Sequence, residues 1–529
     1  MRSTMIPRFT MLRPRHPGGR VAPAAPTDTS PDLKRGSVRR PLICHWPVLV
    51  TGLLLCLGST TAAALPEGNT IEFTNCSLSM PGTPVTAAAR CGFLEVPENP
   101  EDPDGKTIRL HVAVGEAGSQ TPAEDPLFFF AGGPGQAASE TWVMIRNALR
   151  KVRKDRDIVM VDQRGTGQSN PLQCRSEIMN DLDATIDYAQ ITREAERCRD
   201  SLEADPRFYT TTVAMQDIDA VRRAMGYEQI NLLGVSYGTR AAQVYLRQFP
   251  ETVRSVVLDS VVPMQLALGQ EHAPMLDEAV QKVLAACSQD TDCEARFPNQ
   301  AGALNALLTD VRAQPRELTL THPVTGEVEN LTITAETLAV AIRFLSYTSE
   351  SQAMLPLLIH EAVTTGDLTR LAAQAMLVMD SLTESLSRGM ELSVMCSEDY
   401  PFLNLGADQS NTILGDIMLR GFEAQCSVWP AGVVPDGFHD PVRSDVPVLL
   451  LSGERDPVTP PKYGDQAAET FENSLHLVAQ GQAHSVMRHR CLQDVVSEFI
   501  VAGTVADLDT TCVDNIAASP FFTTLLGPD

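Results

Sequence analysis

The feature that most constrains the fold is a series of short apolar runs separated by helix-like segments. "PLFFFAGG", "DIVMVDQRG", "INLLGV", "VRSVVLDS" and "VPVLLLSG" are each apolar over a few residues and bounded by polar or glycine-rich turns. A strand buried on both faces reads this way, whereas a strand with one wet face alternates, as "IRLHVAV" does. Between the runs lie helical patterns. "TTVAMQDIDAVRRAMG" opens on threonines suited to capping, keeps apolar residues at helical spacing and stops at Gly226. "TRAAQVYLRQF" is halted by Pro250. Fully apolar strands alternating with helices predict an α/β fold, a mostly parallel sheet with helices on both faces.

That rhythm breaks after Pro263. From about Gln265 to Tyr400 the chain is helix-rich, with one polar hairpin-like piece, "RELTLTHPVTGEVENLTIT". Strand patterns return in "VPVLLLSGERDPVTPP" and "SLHLVAQGQAHS". A chain of 529 residues exceeds what one simple core usually holds. The expected organisation is a leader over 1–64, a first part of the α/β core over 65–264, an inserted helical lid over 265–400, and the rest of the core over 401–529.

The leader reads as an export signal. Basic residues reach Arg39-Arg40, the apolar run "PLICHWPVLVTGLLLCLG" follows, and Ala62-x-Ala64 suits cleavage after Ala64. A later start at Met11 would shorten the basic segment, and the apolar run is about long enough to serve instead as a membrane anchor. Cys56 does not make a lipoprotein signal, since the bulky Leu55 precedes it. The ten remaining cysteines are an even number in an exported chain, which predicts disulfides. Their clustering into successive pairs suggests Cys76–Cys91, Cys174–Cys198, Cys287–Cys293, Cys396–Cys426 and Cys491–Cys512. No paired C-x-x-C with nearby His ligands suggests a metal. The net charge of −24 becomes −31 without the leader, which holds nine Lys and Arg against Asp28 and Asp32. A surface that acidic disfavours nucleic acid and anionic membranes.

The chemistry centres on "NLLGVSYGTR". Ser236 stands between Gly234 and Gly238, after a buried strand and before a helix, where a G-x-S-x-G nucleophile belongs. A serine hydroxyl needs a base, and the base needs an orienting acid, in the chain order Ser, acid, His. Asp456 follows the strand "VPVLLLSG" and His484 follows the next, 28 residues later. Asp259, ending "VVLDS", is the rival acid. His489, in a helix, is the nearest rival base; His476 and His111 fall inside strands. "FFFAGGPGQ" can turn amides toward a tetrahedral oxygen. The expected donors are the amide of Gly133 or its neighbour and the amide of Tyr237.

Taken together, "GGPG", "VDQRGTGQSNPL", "GVSYGTRAA", "LLLSGERDPVTPP" and "GQAHSV" resemble the proline iminopeptidase and tripeptidyl aminopeptidase branch of α/β-hydrolase serine peptidases. "VMCSEDYP" resembles a segment of the exported tripeptidyl-aminopeptidase-like members. Ala131 stands where proline iminopeptidases usually carry His, which argues against strict N-terminal proline specificity. The resemblance implies an α/β-hydrolase fold and an aminopeptidase that needs a carboxylate for the substrate ammonium. Glu398 and Asp399, where the lid rejoins the core, are the candidates, with a solvated acidic turn as the plain alternative. Asp162, Gln163 and Arg164 are expected to brace the oxyanion loop.

The combined expectation is an exported, periplasmic or secreted serine hydrolase without metal or organic cofactor. It would release one or a few residues from peptide N-termini through Ser236, His484 and Asp456. The alternative is a small-ester hydrolase with the same triad. Nucleic acid and a stable membrane association after signal cleavage are not expected.

Overall fold

The computed structural model describes residues 70–174 and 186–528. The expected leader and its cleavage site after Ala64 lie outside the described residues. Leu65–Asp529 form one compact unit. The strands in chain order are β1 (Thr74–Ser79), β2 (Thr86–Pro97), β3 (Thr107–Gly115), β4 (Leu127–Phe130), β5 (Ile158–Val161), β6 (Ile230–Val235), β7 (Val253–Asp259), β8 (Arg316–Thr321), β9 (Val328–Ile333), β10 (Val448–Gly453) and β11 (Ser474–Ala479). Among the described residues, all but β8 and β9 join one sheet in the order β1-β2-β3-β5-β4-β6-β7-β10-β11. From β5 to β11 neighbours are parallel, while β1, β2, β3 and β5 pair antiparallel.

The apolar runs are apolar because both sheet faces are covered. Phe128 and Phe130 of β4 share a core with Ile218 of helix α3 (Thr211–Ala224) and Tyr245 of α4 (Tyr237–Gln248). Leu127 and Phe129 share the opposite core with Trp142 of α1 (Ala138–Ile145) and Phe499 of α14 (Arg490–Ala502). Burying each such phenylalanine contributes about 1.5–3 kcal/mol. Helix α2 (Tyr188–Ser201) packs beside α12 (Ile417–Cys426).

Between β7 and β10 the chain leaves the sheet. Helices α5 (His272–Gln289), α6 (Thr291–Arg296), α7 (Gln300–Ala313), α8 (Ala335–Leu345), α9 (Ser349–Thr365) and α10 (Thr369–Glu384) join the β8–β9 hairpin around a separate apolar core. Helix α11 (Arg388–Val394) then runs into a π-helical turn, Met395–Asp399, before the chain returns to the sheet. Helix α13 (Pro461–Ala468) covers the β10–β11 end. No helix of the described residues is long and apolar enough to cross a membrane.

All five successive cysteine pairs are bridged. Each closure of this kind stabilises a fold by about 2–4 kcal/mol. Cys396–Cys426 ties the π-helical turn to α12, and Cys491–Cys512 ties α14 to the C-terminal segment.

Parallel pairing places the functional loops side by side. Phe130 lies opposite Gly234, Val235 opposite Asp259, Leu451 opposite Asp259, and Gly453 opposite Ala479. The loops that follow β4, β6, β7, β10 and β11 therefore leave from one sheet edge, where open α/β sheets bind ligands.

Candidate active site

Ser236 links β6 directly to α4 with φ 57° and ψ −126°, a left-handed conformation that costs a non-glycine residue about 1–3 kcal/mol. Its surroundings hold it there. The Ser236 amide donates to the Asp259 carbonyl (2.9 Å), and its carbonyl accepts the amide (2.8 Å) and hydroxyl (2.6 Å) of Thr239. The flanking glycines serve close approach, not dihedral freedom. A Cβ on Gly234 would lie 2.2 Å from the Gly238 carbonyl oxygen, and one on Gly238 the same distance from that of Phe130. Among the described residues no protein group is hydrogen-bonded to Ser236 Oγ.

Asp456 and His484 meet. His484 Nδ1 lies 2.8 Å from Asp456 Oδ2, so Nδ1 carries the proton and Nε2 remains the acceptor. Asp456 Oδ1 accepts the amides of Val458 (2.9 Å) and Thr459 (2.8 Å), and the Thr459 hydroxyl donates to Oδ2 (2.8 Å). Burial alone would raise this carboxyl, but His484 and the two amides outweigh it and hold the group at about 2. Burial likewise opposes the imidazolium, yet Asp456 and then Asp259 lift His484 above its ordinary value. The loops fit only because residue 453 lacks a side chain. A Cβ there would sit 1.9 Å from the Ala483 carbonyl oxygen.

Asp259, the rival acid, does different work. Its two oxygens accept the amides of Val486 and Met487, each at 3.0 Å, and so anchor the segment just after His484. His489 bonds Gln482, His476 bonds Asp465 and Ser452, and His111 bonds Asp162.

The loop after β4 runs against Ser236: a Cβ on Gly132 would lie 3.2 Å from Ser236 Cβ. Among the described residues neither the Gly133 nor the Tyr237 amide is used by a protein acceptor. Asp162 braces this loop by accepting the Ser139 amide (2.8 Å) and hydroxyl (2.9 Å) at the start of α1. Arg164 pairs with Asp217 through two nitrogens (2.6 and 2.8 Å) and donates to the Glu98 and Phe208 carbonyls.

Glu398 and Asp399 lie under the first turns of α4 and are not a solvated acidic turn, since both are fully buried. Glu398 accepts the Thr211 amide (2.5 Å) and hydroxyl (2.7 Å), and Thr211 Oγ1 lies 2.6 Å from the Tyr237 hydroxyl. Burial first, and Asp399 second, push Glu398 up to about 7. Asp399 accepts from Arg240 (2.7 Å) and from the Leu268 amide (2.7 Å).

Sequence reasoning missed three contributors. Thr459 could have been found, because a side-chain oxygen three residues after an Asp is a common local partner. The α8–α9 corner could not, being brought in only by the tertiary fold. There the His484 amide donates to the Tyr347 carbonyl (3.2 Å), and Ser349 Oγ accepts the Ala483 amide (3.0 Å). On the opposite side, the Ser387 amide donates to the Gly135 carbonyl (2.9 Å). The helical segment thus touches both the histidine loop and the oxyanion loop. Among the described residues no three His, Cys, Asp or Glu side chains converge as metal ligands would.

The family described as "alpha/beta hydrolase fold" matches residues 125–295, and the one described as "TAP-like protein" matches residues 411–512. The chain is an α/β-hydrolase-fold serine peptidase whose residues 411–512 are similar to TAP-like proteins. Among its relatives, Serine protease Hip1 of Mycobacterium tuberculosis is 25% identical over 505 residues, covering 88% of this chain and 95% of that protein. Tripeptidyl aminopeptidase of Streptomyces lividans is 25% identical over 503 residues, covering 88% and 90%. The crystal structure of proline iminopeptidase from Mycobacterium smegmatis matches with 17% identity and a TM-score of 0.40, covering 78% of this chain and 98% of that one.

Proposed function

We propose that this TAP-like serine peptidase is an exported aminopeptidase that releases one or a few residues from peptide N-termini. Ser236 Oγ attacks the scissile carbonyl while His484 Nε2 takes its proton and then gives it to the leaving amine. Asp456 holds the ring and offsets the imidazolium charge. The amides of Gly133 and Tyr237 receive the tetrahedral oxygen, and water resolves the acyl-enzyme. The observation that carries this reading is the buried Asp456–His484 pair at the sheet edge that also bears the strained Ser236 turn.

Three further elements belong to the proposal. Residues 265–400 act as a lid, supported by their bonds to both catalytic loops. Export is supported by five disulfides and by the leader pattern. The substrate ammonium is bound by Glu398 or Asp399, where it must displace or share Thr211 or Arg240.

Peptide amides with free N-termini, their N-acetylated counterparts and simple esters, assayed side by side, test this reading. Free-amine peptides are expected to be cleaved and N-acetylated ones spared. Undiminished cleavage after acetylation refutes the aminopeptidase assignment, and turnover of esters alone makes the protein an esterase.

A further inference from the structure

Arg343, on α8, is 9% exposed and is joined to His484 through Tyr347. Its Nη2 donates to the Tyr347 hydroxyl at 3.1 Å, and its guanidinium sits 5.7 Å from the Tyr347 ring centre. That ring meets the His484 imidazole edge-on at 5.5 Å, and the His484 amide bonds the Tyr347 carbonyl. Charged and titratable groups around this corner include His272 at the start of α5, the Tyr347 phenol, His484 itself, and the Arg488–Glu350 ion pair (3.2 Å), whose Arg488 also donates to Ser349 Oγ (3.4 Å). Among the described residues no carboxylate pairs with Arg343, and its buried Nη1 has no hydrogen-bond partner.

This arrangement is costly unless something completes it. A guanidinium carries its charge at every working pH, and a buried charge needs a counter-ion. Elsewhere in this protein buried guanidinium groups have one: Arg164 pairs with Asp217, and Arg240 with Asp399. A neutral phenol is a weak acceptor compared with a carboxylate. The cation also opposes the protonation that His484 undergoes in each catalytic cycle. An anion arriving with the substrate would satisfy Arg343 and relieve His484 at the step that needs it.

We propose that Arg343 receives a carboxylate of the peptide substrate on the leaving-group side of the scissile bond. The side follows from chemistry. His484 hands its proton to the leaving amine, and Tyr347 packs against His484 with Arg343 on the Tyr347 ring, whereas the loop at Gly132 lies against Ser236. The carboxylate is either the C-terminus of a short substrate or an acidic side chain just after the cleaved bond. The proposal rests on the peptidase reading.

The test compares peptides that differ by one carboxylate: C-terminal acid against amide, and Glu against Gln at the first residue after the scissile bond. Wild-type protein is expected to show a kcat/KM at least about tenfold higher for the acid member of one pair, and that pair names the source. Arg343→Met should collapse the ratio to about one, and Arg343→Lys should restore part of it. The acid limb of the kcat/KM profile should move to higher pH in Arg343→Met, which a merely structural role would not produce. Equal handling of both pairs by wild-type protein overturns the proposal without any variant, as does a ratio that survives in Arg343→Met. If fluorophosphonate labels Ser236 but no peptide is cleaved, the peptidase reading fails and this proposal with it. If amides are cleaved without preference for acids, this proposal alone fails.

Discussion

The ends of β7 and β10 offer two aspartates in near-identical settings and with opposite chemistry. Asp259 and Asp456 are both buried, lie at or just beyond the ends of neighbouring parallel strands, and each accept two backbone amides. Asp456 is held at about 2, whereas burial pushes Asp259 up to about 6 despite its two amides. The difference lies in what else faces each carboxylate. Asp456 has the His484 ring and the Thr459 hydroxyl on its second oxygen; Asp259 has only backbone donors and feels His484 at longer range. Burial alone does not fix the charge of a carboxylate. A cationic partner in contact decides which carboxylate stays ionised.

The largest expected effect breaks this contrast at its centre. Asp456→Asn leaves His484 without its orienting anion and should lower kcat by about 10⁴-fold, measured on any cleaved peptide. Asp259→Asn should act mainly on stability, because it disturbs the amides of Val486 and Met487, at a cost of about 1–3 kcal/mol in urea unfolding near neutral pH.

The two aspartates also tilt stability with pH in opposite directions. Asp259 binds its proton more tightly when folded, so as pH rises from about 4 to about 6 it removes on the order of 3 kcal/mol of stability. Asp456 binds its proton less tightly when folded. Its contribution, on the order of 2 kcal/mol, is present above pH about 4 and lost as pH falls toward about 2. Unfolding measured from pH 3.5 to 6.5 should therefore show a falling component in the wild type that Asp259→Asn lacks.

Smaller effects sharpen the same contrast. Thr459→Val removes one donor from Asp456 and should lower kcat by about tenfold. Ser349→Ala loosens the corner that holds the histidine loop and should cost a few-fold in kcat, about 1 kcal/mol, with Ser236 still labelled by fluorophosphonate.

Much of this contrast was legible in the chain. The apolar runs marked β4, β5, β6, β7 and β10 because strands buried on both faces have little room for polar residues. The proposed order Ser236, Asp456, His484 rests on loops leaving one edge of a parallel sheet, and of these the structure brings Asp456 and His484 into contact. The choice between Asp259 and Asp456 was open on residue type, since both follow an apolar strand; only the partners distinguish them. The antiparallel strands β1 and β2 were not read, for their alternation is partial and β1 is mostly exposed. At the G-x-S-x-G turn Ser236 itself takes the positive φ, and Gly234 and Gly238 let strand and helix backbones meet. The corner at Arg343, Tyr347 and Ser349 left no local signal, because its partners lie more than a hundred residues away.

The most direct measurement is the rate at which fluorophosphonate inactivates Ser236 in wild type, Asp456→Asn and Asp259→Asn at neutral pH. The account predicts that Asp456→Asn slows labelling by about 10³-fold or more, while Asp259→Asn stays within about tenfold of wild type. The reverse ranking, or equal slowing in both, would contradict the assignment of Asp456 as the acid that serves His484.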